Sequence, residues 1–132
     1  EVDMNMGNNV LRLECLHANG RTYLQGEEYM ALYHYIHGGD GAFPALGNIA
    51  PQLCVGLYNA CKAGNIEEAV KLHMDMLLLG QAVYVENYPS GLKEAMEMVG
   101  RDGGVTREPL GKVSSSSKQK IENVLRKINL IK

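Results

Sequence analysis

Cysteine is scarce in this chain. Cys15, Cys54 and Cys61 form an odd set without Cys-x-x-Cys spacing, which argues against a disulfide framework or a zinc site. Cys54 and Cys61 lie seven apart on one predicted helix, about 10 Å along its axis at 1.5 Å per residue and too far to bridge. All three read as small buried hydrophobes in a reducing compartment, so the expected location is cytoplasmic. An excess of one charge is also missing. Thirteen Lys and Arg stand against 15 Asp and Glu, a net charge of -2, so no electrostatic case exists for a nucleic-acid or acidic-membrane partner.

Long apolar runs are absent too. The longest aliphatic stretch, Met76 to Leu79, falls far short of a membrane span. The opening "EVDMNMGNN" has neither a basic region nor an apolar core, so no signal peptide is expected there. It has no initiator methionine, which leads us to expect a processed chain or a piece of a longer one. Both phosphate-loop patterns fail. Gly-Lys-Ser/Thr never occurs, and G-x-G-x-x-G read from Gly39 meets Pro44 where its last glycine should be.

What is present suits one soluble globular unit: 132 residues, 45 % apolar and 21 % charged. "NNVLRLECLHANG" places Val10, Leu13 and Leu16 at helical spacing and stops at Asn19-Gly20. "RTYLQG" reads as a buried strand. "EEYMALYHYIHGG" starts with acids and ends with His-Gly, as a helix does. "GAFPAL" is a second strand, with Pro44 at its end. Helical spacing then dominates. Ile49, Leu53, Leu57 and Ala60 form one stripe, and Gly64 stops that helix. Asn65 and Glu68 open the next with a capping box, and Ala69, Leu72, His73, Met76, Leu79 and Val83 share its face. "NYPSG" reads as a turn, "LKEAMEMVG" as a short helix, residues 101 to 117 as irregular with Ser114 to Ser117 a solvated linker, and the last 15 residues as an amphipathic helix.

Several features invite a sharper reading. His34 and His37 share a helical face ahead of Asp40, which could begin a metal site, but further ligands are not evident, and a helix-end pair near solvent is the expectation. His17 and His73 read as packing or surface residues. The methionines at 74, 76, 96 and 98 read as core filler. "LYNACKAGNIEEAVKLHMDML" resembles a pentatricopeptide-type helical hairpin, which would make the chain a non-enzymatic, RNA-binding or interaction module. No second copy follows about 35 residues away, as a solenoid requires.

Five blocks, in order, resemble the dihydrodipicolinate synthase / N-acetylneuraminate lyase family of pyruvate-dependent class I aldolases. "LQGEE" (24–28) resembles the segment after the family's seventh barrel strand, and "GGDGAFPALGNIAP" (38–51) its eighth strand with G-x-[IV]-S-x-x-x-N-x-x-P. "NACKAGNIEEAVKL" (59–72), "ENYPSGLKEAM" (86–96) and "GGVTREPL" (103–110) resemble its helical C-terminal blocks. The resemblance implies an α/β fold, helix-rich overall. It would be the C-terminal portion of a (β/α)8 TIM barrel, the last two to three β/α units (residues 1–63), followed by an α-helical C-terminal region (residues 64–132).

It also implies a Schiff-base carbon-carbon lyase joining or splitting a keto acid, pyruvate, and an aldehyde, with no separate cofactor and no metal. Gly26 and Glu28 would line the aldehyde pocket, and the carbonyl of Phe43 and the region of Ala45 would face the pyruvate-derived part. Two departures matter. Asp3 stands where the family has its nucleophilic lysine, and Ala45 where many members have serine. An aspartate forms no imine, so no catalytic residue is assigned and the chain alone is expected to be inactive. Lys93 falls at a structural position of its helix. Unpaired strand edges predict association with further copies or with missing barrel strands.

Overall fold

A computed structural model describes residues 6–132, with side chains from Asn9 onward; Asp3 lies outside this range. The described residues open with α1 (Met6–Ala18), which buries Leu13 and ends where Gly20 takes a left-handed φ of +65°. The amide of Arg21 reaches back to the carbonyl of Leu16 at 2.9 Å, completing a glycine stop.

Two very short strands follow. In parallel register, β1 (Leu24–Gln25) pairs with β2 (Gly41–Ala42), Leu24 opposite Gly41 and Gln25 opposite Ala42. The Phe43 amide extends the ladder by donating to the Gln25 carbonyl at 2.8 Å. Pro44 follows the strand, where its missing donor costs nothing. Between the strands run a 3-10 turn (Glu28–Met30) and α2 (Ala31–Ile36), a right-sized crossover for a parallel pair. The expectation of a buried first strand holds for only one side. Alternation places Gln25 inside, while Leu24 is 53 % exposed because no third strand or helix among the described residues covers it.

After a second 3-10 turn (Ala45–Asn48) the fold is helical: α3 (Pro51–Lys62), α4 (Ile66–Val83), α5 (Ser90–Met98) and α6 (Ser115–Lys127). Proline opens α3, where no helical donor is lost. At Asn65 the side chain accepts the Glu68 amide, the expected cap of α4. One continuous core runs from Ala31 and Tyr35 on α2 through Leu57, Met76 and Leu79 to Ile121 and Leu125 on α6. Truncating such a residue typically costs about 2–5 kcal/mol.

Four local expectations need correction. Cys15 is exposed and Cys54 and Cys61 are only partly buried, because α1 turns that side of Cys15 to solvent. Met74 is 52 % exposed, lying one residue past the buried stripe of α4. His34 is buried rather than near solvent, since the chain folds back over it at Gly39. The serines are not a linker: Ser114 caps α6 by accepting the Ser117 amide, and both hydroxyls bond to the carboxylate of Glu86. A helix N-terminus supplies amides that a serine run can satisfy, which periodicity alone does not reveal.

Candidate functional site

Both strands end at one cleft. The chain leaves β1 through Gly26, Glu27 and Glu28, and leaves β2 through Phe43, Pro44 and Ala45. These two turns form one wall of a cavity of about 700 Å³. Tyr84, Tyr88 and Leu92, from the end of α4 and the start of α5, contribute to the other. All four residues singled out from the sequence, Gly26, Glu28, Phe43 and Ala45, therefore line the same cavity. Phe43 projects at its mouth, 83 % exposed, and a β-carbon on Gly26 would meet nothing within 4 Å.

Glu28 ties the walls together. Its side chain is buried, and Oε1 accepts the backbone amide of Leu46 at 3.1 Å and the hydroxyl of Tyr84 at 2.6 Å. Its own carbonyl accepts Nε2–H of His73 at 3.2 Å. Burial, and then the Glu28 bond, push the Tyr84 phenol well above its ordinary pKa. Burial pushes His73 down, keeping the imidazole neutral, partly offset by its bond to the Glu28 carbonyl. Tyr84 stacks edge-to-face with Tyr29 at 6.4 Å and with Tyr88 at 5.4 Å, a rigid aromatic corner. Beside the cavity, Gln25 Oε1 accepts the Glu27 amide at 3.0 Å, while its buried Nε2 has no acceptor among the described residues.

With this geometry in view, the comparisons are specific. The sequence profile of the Dihydrodipicolinate synthetase family matches residues 3–128. The chain belongs to the dihydrodipicolinate synthetase family. The 4-hydroxy-tetrahydrodipicolinate synthase of Brucella suis biovar 1 (strain 1330) is 35 % identical over 114 residues, 85 % of this chain and 39 % of the relative. The crystal structure of dihydrodipicolinate synthase from Thermotoga maritima superposes with a TM-score of 0.85 at 26 % identity, covering 99 % of this chain and 45 % of that one. A prophage protein of the family from E. coli K12, solved in complex with pyruvate, superposes with a TM-score of 0.82 at 25 % identity, covering 97 % and 44 %. The chain thus spans about two fifths of the length of the curated relatives it matches. Its structural neighbours are TIM-barrel enzymes.

The family match also replaces the helical-repeat reading. It runs through both helices of the hairpin at 57–77, and these bury Leu57, Ala69 and Met76 in the common core rather than in a stack of repeats.

The histidine cluster does not converge on one ligand. His34 Nε2–H donates to the Tyr23 carbonyl at 3.0 Å, and His37 Nδ1–H to the Tyr33 carbonyl at 2.8 Å. Asp40 accepts the Tyr23 amide at 2.7 Å and Nε2–H of His17 at 2.8 Å, and these bonds lower its pKa. Each ring has its own structural task, and no His, Cys, Asp or Glu group among the described residues could hold a metal ion. Of the two glycines before β2, Gly38 supplies a left-handed φ of +90°, and Gly39 serves packing, since a β-carbon there would fall 2.2 Å from the His34 ring. Lys93 spends its ammonium on the carbonyls of Gly103 and Val105, pinning the irregular segment to α5.

Sequence reasoning missed Tyr29, Tyr84 and Tyr88 as cavity residues. The signal was faint. Tyr84 follows directly on the buried stripe of α4, and Tyr88 lies inside "ENYPSG", which reads as a plain turn.

Proposed function

We propose that this chain is the C-terminal part of a Schiff-base aldolase or lyase acting on pyruvate and an aldehyde. Residues 1–63 would supply its last β/α units and residues 64–132 its helical tail. One observation carries the reading. The turns that follow two parallel strands meet in a single cleft, the place where barrel enzymes carry their chemistry. Gly26, Phe43 and Ala45 would face the substrates there, and Glu28 would shape their pocket.

Such a reaction needs an amine to form an imine with the keto acid, so that electrons from the breaking or forming carbon–carbon bond are delocalised. No lysine lines the cleft among the described residues. Asp3 stands at the family's lysine position and cannot supply the amine, so the nucleophile would have to come from a partner that carries the lysine. The rest of the sheet would come from further strands, since a two-stranded parallel sheet leaves both edges unpaired. Association with those strands, or with further copies, follows from the same open edges. No described helix is long and apolar enough to cross a membrane.

The test is treatment with pyruvate and borohydride followed by intact-mass measurement, on the chain alone and after mixing with a chain carrying a relative's preceding strands through its Schiff-base lysine. The expected result is no adduct on this chain in either case, and an adduct on the relative's lysine with lyase activity in the mixture. A stable adduct on a lysine of this chain would overturn the assignment of the nucleophile.

A further inference from the structure

One oxygen of the cleft's most buried acid joins two separate segments of the chain. Glu28 sits 4 % exposed at the start of the 3-10 turn after β1. Its Oε1 takes one donor from the turn after β2, the Leu46 amide, and one from the end of α4, the Tyr84 hydroxyl. Leu46 is itself fully buried and directly follows Ala45, which lines the cleft. Tyr84 in turn sets the ring of Tyr88. A third tie comes from below, where His73 on α4 holds the Glu28 carbonyl.

We infer that Glu28 is a positioning residue: through Oε1 its carboxylate holds the Ala45 wall and the Tyr84–Tyr88 wall at a fixed separation, and so shapes the cleft through Leu46 and Tyr84. This deepens the functional reading above and rests on it for the statement that the cleft takes substrate. The physical argument is one of alternatives. The Leu46 amide lies in a 3-10 turn and needs an acceptor that the backbone there does not supply. A carboxylate is the strongest acceptor a side chain offers, and accepting two donors from separate segments converts two mobile turns into one rigid unit. Swinging Oε1 away would leave the buried Leu46 amide without its acceptor.

Three readouts on the chain alone test this, so their failure is distinct from failure of the lyase reading. In ¹H–¹⁵N NMR, the Leu46 amide should shift strongly in Glu28→Ala, which removes its acceptor. In Glu28→Gln, where an uncharged oxygen still accepts both donors, the amides of Ala45 to Asn48 and the ring signals of Tyr84 and Tyr88 should stay near their native positions. The slowest-ionising tyrosine should then titrate at lower pH. In Glu28→Ala those same amide and ring signals should all shift, while Ile121 and Leu125 on the far helix hold. If Glu28→Ala does not fold, Tyr84→Phe serves in its place and should move the Ala45–Asn48 amides through the shared carboxylate. A Leu46 amide unmoved in Glu28→Ala, or wall signals unmoved in both Glu28→Ala and Tyr84→Phe, would overturn the proposal. So would Glu28→Gln disturbing the walls as much as Glu28→Ala.

Discussion

His34 and Gly39 meet at the end of α2 so closely that a β-carbon on the glycine would lie 2.2 Å from Nε2 of the imidazole. That nitrogen also holds the Tyr23 carbonyl just before β1. The glycine thus lets the chain fold over a histidine that anchors the first strand, and the two strands stay in register.

Gly39→Ala should therefore destabilise the chain by about 1–3 kcal/mol, the usual cost of overpacking a filled site. Gly26→Ala, with nothing within 4 Å of the new atom, should stay within about 0.5 kcal/mol of the parent. Urea unfolding of both variants checks the contrast, and equal losses would contradict it.

Acid should weaken the fold in two stages. Burial lowers the pKa of His34 and His73 below the ordinary imidazole value of about 6.5, so the folded state favours the neutral rings. Their contribution is complete above 6.5 and is lost as pH falls through the lowered folded values. Asp40 and Glu86, held down by hydrogen bonds, keep their contribution to lower pH and lose it as they protonate. The urea midpoint should fall from about pH 6.5 downward, with a shallower first stage in His73→Gln, whose amide can still donate to the Glu28 carbonyl.

Alkali should act through tyrosine. Burial pushes Tyr35 up to about 12, and burial with the Glu28 bond raises Tyr84 further. Both phenols favour their protonated form in the folded state, so their contribution is full below pH 10 and declines as pH rises through the folded values. Spectrophotometric titration should show late-ionising tyrosines among the seven in the chain. Tyr84→Phe should remove the last of them. Titration of all tyrosines near pH 10 in the folded protein would refute this.

The last helix depends on its cap. Ser114→Ala should cost about 1 kcal/mol, the usual value of a serine N-cap. Glu86→Gln should weaken the same end by removing the charge that three donors from Ser114 and Ser117 share. Hydrogen exchange should quicken in the first turn of α6 before it does in α4, where Leu79 and Val83 are fully buried.

Most of the secondary structure was legible because it rests on local rules. Apolar spacing, the Asn65 cap and the Gly20 and Gly64 stops act within a few residues, so the order of helices and strands could be read directly. The four cavity residues were legible by resemblance, since "LQGEE" and "GGDGAFPALGNIAP" stand in order and at matching spacing. The burial of His34 was not legible, because it depends on a close backbone approach rather than on the helix it belongs to. Nor was the use of the serines, whose acceptor, Glu86, lies 28 residues away from Ser114.

The sequence by itself determined where helices and strands form and which family they belong to, because these follow from near-neighbour chemistry and from ordered motifs. Only the tertiary structure decided that Glu28 reaches both Leu46 and Tyr84, that Tyr29, Tyr84 and Tyr88 form one corner of the cleft, and that Leu24 faces outward. Such contacts join residues tens of positions apart, and their energies depend on burial and on hydrogen-bond geometry that exist only once the chain has packed.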